Sequence, residues 1–424
     1  MENFLKMFDE TTGVSTDTRN IHEGSMFIAL KGENFNGNTF AKQAIEKGSK
    51  YAIVDEEGIA DGKEIFFVDN ALIFLQKLAR AHRDRFDIPV IGITGSNGKT
   101  TSKELINCVL QKKFQVLCTK GNLNNHIGVP LTILGLNEQH QIAIIEMGAN
   151  GLGEIAELCQ ISNPTYGLIT NIGKAHLEGF KNFEGVFNTK TALYEHVMKN
   201  DGILFYNEDD QILTDFVTNY QKRISFGMQN TFIQGSISNM NPFVSFEWKT
   251  VKSPEVQHVQ SKLTGKYNFY NFLSAIAIGS FFEVVNKDIN EALADYIPDN
   301  KRSEVRITPN NTLIIDCYNA NPSSMSLALE SFKQMDAKSS LAILGDMKEL
   351  GEESHKEHME IIKQCHSLGL RFYTIGNEFK KVYSEGFDST MEFKEFLKNN
   401  PFKGFTILLK GSRGMALENL ISLL

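Results

Sequence analysis

Short apolar runs alternate with longer amphipathic ones along most of the chain. MFIAL, YAIV and IFFV near the start are each bounded by charged or turn-forming residues. Runs of that length fit strands buried on both faces. Residues 38–48 and 72–85 carry the helical period between and after them, and this first block closes near Arg85. A second block opens at Ile88-Pro89, where the proline breaks the preceding helix. Its strands read VIGIT, QVLCT, IAIIEM, YGLIT and GILFY, and residues 268–285, rich in Ala, Ile and Phe, read as a buried helix.

A third block starts near Asn300, with strands TLIIDCY, LAILGD and RFYTIG, helices over residues 323–335 and 354–368, and TILLKG leading into a last helix. Strand–helix alternation of this kind predicts parallel α/β layers, with a small doubly wound domain at the end. The expected domains are residues 1–86, 87–299 and 300–424, in line with a chain of 424 residues.

Composition narrows the function. The net charge is −8, from 43 basic and 51 acidic residues, and no basic stripe stands out, so nucleic acid is not expected as a partner. Anionic substrates stay compatible, because local clusters outweigh net charge. Cys108, Cys118, Cys159, Cys317 and Cys365 show no CxxC spacing and read as reduced cytosolic thiols. MENFLKMFDE lacks a signal-peptide core, and the most apolar stretch, residues 272–282, is too short to span a bilayer. The expectation is a cytoplasmic protein without membrane contact, and a monomer.

The sharpest chemical signal is ITGSNGKTT, residues 93–101. A buried strand ends, Gly95 and Gly98 let the backbone curl so that N–H groups converge on an anion, and a helix begins near Lys99. Lys99 would reach the outer phosphates and the Thr100 hydroxyl could ligate Mg²⁺. The strict GxxxxGK[ST] pattern asks for glycine where Ile93 stands, so the motif is matched by its strand–turn–helix context rather than by the full expression. Glu146 ends the strand of IAIIEMGAN, at the carboxyl edge where ligands of parallel sheets gather. His176 follows another strand end in LITNIGKAHLEGF. Lys190, in VFNTKTALY, says nothing alone, because a protonated lysine repels a metal ion.

Eight segments in order resemble the Mur ligase family: STDTRNIHEGSMFIALKGENFNG, TGSNGKTTSKE, GNLNNHIGVPLT, IEMGANGLGEI, LITNIGKAHLEGF, DCYNANPSSM, LGDMKELGEESHKEH and LKGSRGM. The resemblance spans nearly the whole chain. It implies three domains: a small α/β N-terminal one, a central P-loop-type ATPase with a parallel sheet, and a Rossmann-like C-terminal one. YNANPSSM with LGDMKELG resembles the branch that joins D-alanyl-D-alanine to a UDP-N-acetylmuramoyl-tripeptide, using ATP and an acyl phosphate in building the cell wall.

The resemblance also implies roles. Gly95, Ser96, Asn97, Gly98, Lys99, Thr100 and Thr101 would hold ATP phosphates, with Thr100 and Glu146 on a first Mg²⁺ and His176 on a second. Lys190 matches the lysine that the family carbamylates, which turns a cation into a carboxylate-like metal ligand. Asn268, Asn271, Arg302 and Asp316 match nucleotide-contacting positions, and Ser15, Thr16, Asp17 and Arg19 the segment linked to uridine diphosphate. Asn319, Asn321 and Ser324 lie in the loop expected near the reaction centre. Ala192, Tyr267 and Asn38 depart from common family residues (an acid, a histidine and a histidine) without removing a group the chemistry requires. The alternatives are a sibling ligase adding one amino acid, which the missing DNPR-like signature argues against, and folylpolyglutamate synthase, which would lack TDTR and YNANP. A regulator that has lost catalysis is opposed by Lys99, Glu146, His176 and Lys190 occurring together.

Overall fold

In the computed structural model, residues 1–175, 177–251, 253–298, 300–335, 337 and 339–424 are described. Three separate main sheets order the chain. The first has four parallel strands in the order Val14–Ser15, Met26–Ile28, Tyr51–Val54 and Ile65–Phe67. Alternation along Met26–Ile28 sends Phe27 to a cluster with Ala41, Ala44 and Val54, and Met26 and Ile28 to the opposite face against Leu75 and Leu78.

Leu75 and Leu78 belong to the helix Ala71–Arg83, which Asn70 caps by accepting from the Ile73 N–H at 2.8 Å. The same helix packs on the helices Gly128–Ile133 and Glu154–Ser162, so it seats the first sheet on the second. Buried Arg83 fixes the joint by donating to the carbonyls of Ser162 and Phe86.

The second sheet runs Ser253–Gln260, Ser245–Thr250, Ile233–Asn239, Arg223–Gly227, Ile203–Asn207, Tyr166–Ile169, Val90–Thr94, Ile142–Glu146, Val116–Cys118. The strands from Ile233–Asn239 onward in that order pair in parallel. All five residues of Val90–Thr94 are buried, as the unbroken apolar run requires. Its neighbours are Tyr166–Ile169 and Ile142–Glu146, so the ends of three adjacent strands meet where the phosphate loop leaves the sheet.

The third sheet orders Glu304–Ile307, Thr312–Asp316, Thr406–Lys410, Ser340–Gly345 and Arg371–Ile375, parallel except for its first strand. With the parallel-dominated second sheet, this is the three-part α/β architecture expected from the sequence.

Some elements depart from the sequence reading. Ile233–Asn239, Ser245–Thr250 and Ser253–Gln260 form a meander whose second and third strands are antiparallel, where no strand was expected. One face of these strands is polar and solvated, so their apolar positions never form a continuous run. The expected helix of residues 268–285 ends at Phe281, and a separate helix, Asn286–Asp295, follows. The last segment is not an α-helix. It forms the 3-10 turns Arg413–Met415 and Leu417–Leu423, with Ala416 left-handed between them at φ 51°.

Candidate active site at the phosphate loop

Gly95 and Gly98 take positive φ, +146° and +80°, which admits few other residues at no strain. The loop they shape is clasped by the end of the neighbouring strand Tyr166–Ile169. The Ser96 N–H donates to the Asn171 carbonyl at 3.0 Å, and the Asn97 N–H to Asn171 Oδ1 at 3.1 Å. Thr170 Oγ1 donates to the Asn97 carbonyl at 2.6 Å, and Ser96 Oγ exchanges bonds with the backbone of Gly173 at 2.9 Å. The Lys99 ammonium folds back on the loop, donating to the Gly95 carbonyl at 2.6 Å. Burial lowers it to about 8, with Arg302 adding repulsion and Glu146 opposing. Thr101 is buried in the same first helical turn.

Glu146 stands beside this turn, 1% exposed. Its Oε1 accepts from Thr100 Oγ1 at 3.1 Å and from Asn124 Nδ2 at 2.8 Å. Its Oε2 is buried with no hydrogen-bond partner among the described residues. A buried carboxylate with an unfilled oxygen beside a hydroxyl suits a hard divalent cation, which needs only one or two protein ligands when phosphates supply the rest. Among the described residues no three of His, Cys, Asp and Glu cluster as a ready metal cage.

Lys190 lies on the helix Phe183–Lys199, 1% exposed, its ammonium 5.3 Å from the Phe180 ring centre. Burial, then the charge of Lys99, lowers it to about 7, while Glu154 opposes. The amine is therefore substantially neutral near neutral pH. His176 lies outside the described residues.

The helix Asn268–Phe281 closes another side of the loop. Ser102 Oγ donates to Asn271 Oδ1 at 3.0 Å, and Asn271 Nδ2 to Asn268 Oδ1 at 2.8 Å. A Cβ on Gly98 would fall 2.6 Å from Asn271 Oδ1, so loop and helix touch. Asn268 Nδ2 in turn donates to Ser303 Oγ at 3.0 Å, and the Tyr267 hydroxyl meets the same Ser303 oxygen at 2.8 Å.

The third block reaches the loop directly. Asn321 caps the helix Pro322–Gln334 in a reciprocal box with Ser324, and its Nδ2 donates to Asn97 Oδ1 at 2.8 Å. Ser323 Oγ accepts from the Lys174 N–H at 3.1 Å, and the Lys174 ammonium pairs with buried Glu357 at 2.8 Å. The Arg302 guanidinium lies 3.9 Å from the Tyr318 ring centre, and its Nε is buried without a partner, a donor that an anion would complete. Asp316 accepts from Lys410 Nζ at 2.6 Å. Asn319 is exposed.

Ser15, Thr16, Asp17 and Arg19 form a self-contained turn in the first block. Arg19 chelates the Asp17 carboxylate at 2.7–3.0 Å and holds it at about 2. Ser15 Oγ donates to the Asp17 and Asn20 carbonyls. Among the described residues, none of the hydrogen bonds of these four reaches the phosphate loop. Asn38 is buried and bonds Asp55 and Asn36, a structural use of the position where the family often has histidine.

The sequence reading missed Thr170 and Asn171, which brace the loop, and Asn124 on Glu146. All three lie inside segments already notable, LITNIG and GNLNNHIG, but a hydroxyl or amide there gives no periodic signal.

Comparison with known proteins agrees with this architecture. Residues 10–90 match the family model described as Mur ligase family, catalytic domain; residues 93–279 match Mur ligase middle domain; residues 301–396 match Mur ligase, glutamate ligase domain. The UDP-N-acetylmuramoyl-tripeptide–D-alanyl-D-alanine ligase of Bacillus subtilis is 34% identical over 96% of this chain and 92% of its own. The Escherichia coli enzyme of the same name is 31% identical over 96% and 92%. Crystal structure I of MurF from Acinetobacter baumannii superposes with a TM-score of 0.89 at 28% identity, covering 99% of this chain and 97% of its own. MurF ligase from Thermotoga maritima in complex with ADP gives 0.87 at 27% identity, over 100% and 98%. The chain belongs to the Mur ligase family.

Proposed function

We propose that this chain is the ATP-dependent ligase that joins D-alanyl-D-alanine to a UDP-N-acetylmuramoyl-tripeptide, the last peptide-extending step of a cell-wall precursor. Near-full-length similarity to ligases of that name supports the substrate choice. The observation that carries the chemistry is the Lys99–Thr100–Glu146 constellation, with Asn321 of the third block bonded to the same loop.

A carboxylate is a poor electrophile, and phosphorylation makes it a good one by supplying a leaving group. The loop N–H groups and Lys99 would cradle the ATP phosphates, with Lys99 leaving its own loop carbonyls to do so. Bound Mg²⁺ would neutralise charge on the transferring phosphoryl group. Thr100 and Glu146 fit as its holders, since Glu146 Oε2 has no hydrogen-bond partner among the described residues. A second ion would fall to His176 and to Lys190 once carbamylated; the neutral amine, the form that captures CO₂, is made available by burial that lowers Lys190 to about 7.

Arg302, with its open Nε, would meet phosphate oxygens, and Asp316 the ribose. Asn271 would face the adenine, with Asn268 bonded to it. The Ser15–Arg19 turn would take the uridine diphosphate, and Asn319, Asn321 and Ser324 would orient the dipeptide whose free amine attacks the acyl phosphate. In this reading residues 1–86 bind the sugar-peptide, 87–299 the ATP, and 300–424 the dipeptide. A cytoplasmic site of action accompanies it; among the described residues no helix is long and apolar enough to cross a membrane.

The test is phosphate release by purified protein given ATP, Mg²⁺, the UDP-sugar tripeptide and either D-alanyl-D-alanine or single amino acids. Release with the dipeptide supports the proposal. Release with single amino acids alone assigns the chain to a sibling activity.

A further inference from the structure

Lysine is rarely buried completely unless paired, yet the Lys103 side chain is 0% exposed. It sits one turn beyond Lys99 on the helix Lys99–Leu110 and so faces the same side. Its Nζ donates to the Thr119 carbonyl at 2.8 Å, meets Glu104 Oε1 at 2.8 Å and lies 3.8 Å from Glu146 Oε2. That oxygen is the one with no hydrogen-bond partner. Thr119 completes the connection, because its hydroxyl accepts from the Glu146 N–H at 3.0 Å while its carbonyl holds Lys103.

The Glu146 carboxylate is thus held asymmetrically. Neutral donors from Thr100 and Asn124 occupy Oε1, and a fixed positive charge approaches Oε2. We infer that Lys103 is a positioning residue that aligns Glu146 for the divalent ion. The inference rests on the reading that Thr100 and Glu146 hold that ion, and it adds a residue outside the phosphate-loop motif.

Two physical effects of Lys103 oppose each other. As a charge it repels an incoming cation, although Glu104 and Glu146 outnumber it. As a tether it stops a buried carboxylate from rotating or taking other partners. If charge alone mattered, removing Lys103 would tighten metal binding; if alignment governs, removal weakens it. The burial, the short links that fix Lys103 to Glu104 and Thr119, and the bond from the Glu146 N–H to Thr119 favour alignment.

The experiment measures ADP affinity by calorimetry with and without Mg²⁺, and takes the ratio as the metal enhancement. A wild type with no enhancement defeats the metal assignment to Thr100 and Glu146 itself. Given enhancement in the wild type, Lys103→Met should reduce it about tenfold or more while leaving metal-free ADP affinity within about twofold. Enhancement kept or increased in folded Lys103→Met overturns the inference.

If circular dichroism shows that variant unfolded, Lys103→Gln decides, because its amide can still donate to the Thr119 carbonyl while the charge is gone. Enhancement should then fall severalfold, and a value kept or increased overturns the inference.

Discussion

Asn321 and Asn97 stand 224 positions apart in sequence and share one hydrogen bond, Asn321 Nδ2 to Asn97 Oδ1 at 2.8 Å. Asn97 lies in the phosphate loop, and Asn321 caps the helix Pro322–Gln334, into which the third block's YNANP segment runs. A group proposed to orient the incoming amine is thereby tied to the loop that would hold ATP. Asn321→Ala removes this tie and a helix cap worth about 1 kcal/mol. Turnover should drop about tenfold or more with ADP affinity nearly unchanged, as read by steady-state kinetics and calorimetry. Equal losses in both would place Asn321 in nucleotide binding instead.

The Lys174–Glu357 pair is a second link between the central and C-terminal blocks, 2.8 Å long, with Glu357 almost fully enclosed. Removing one partner of an enclosed pair strands the other charge. Lys174→Glu should shift solution scattering toward a more open particle and lower turnover. Adding Glu357→Lys should restore both. Identical scattering in the single variant would show that the pair does not hold the blocks together.

Lys190 gives a pH-dependent expectation. Burial and the nearby Lys99 charge lower its ammonium to about 7, far below ordinary lysine, so the neutral amine predominates above that pH and the cation below it. Carbamate forms on the neutral amine. Enzyme depleted of CO₂ should lose activity and regain it with bicarbonate, faster at about pH 8.5 than at about pH 6. Labelled bicarbonate should give a carbamate carbon signal that Lys190→Ala lacks, and short carboxylates should partly rescue that variant. Full activity in Lys190→Ala contradicts the carbamate.

Backbone curvature at Gly95 has its own consequence. A Cβ there would sit 1.9 Å from Thr170 Oγ1, at a φ of +146°. Strain of this kind costs about 1–3 kcal/mol, and Thr170 must also give way. Gly95→Ala should weaken ADP binding about tenfold to hundredfold, measured by calorimetry, and lower the thermal midpoint by about 2 °C or more.

What the sequence made legible was local. Val90–Thr94 is an apolar run ended by glycines, and Glu146 marks a strand end, so strand, loop and carboxylate could all be placed from short-range pattern. Lys103 could not, because a lysine on an amphipathic helix normally projects into solvent, and only the approach of Thr119 and Glu146 encloses it. The Asn97–Asn321 bond depends on how two blocks meet, and no periodicity encodes that. Trp248 was equally silent. It is buried against the helix Asn286–Asp295 through its bond to Asn290, but the polar face of its strand hides the β pattern. Roles for the nucleotide and substrate residues came only from the resemblance of whole segments, because spacing alone left them open.

The central claim is that a carboxylate is activated by phosphate before an amine attacks it. Sugar-tripeptide labelled with ¹⁸O in its terminal carboxylate, incubated with ATP, Mg²⁺ and D-alanyl-D-alanine, tests this directly by mass analysis of the released phosphate. One labelled oxygen should pass to phosphate with each amide formed. Amide formation accompanied by unlabelled phosphate would contradict the account.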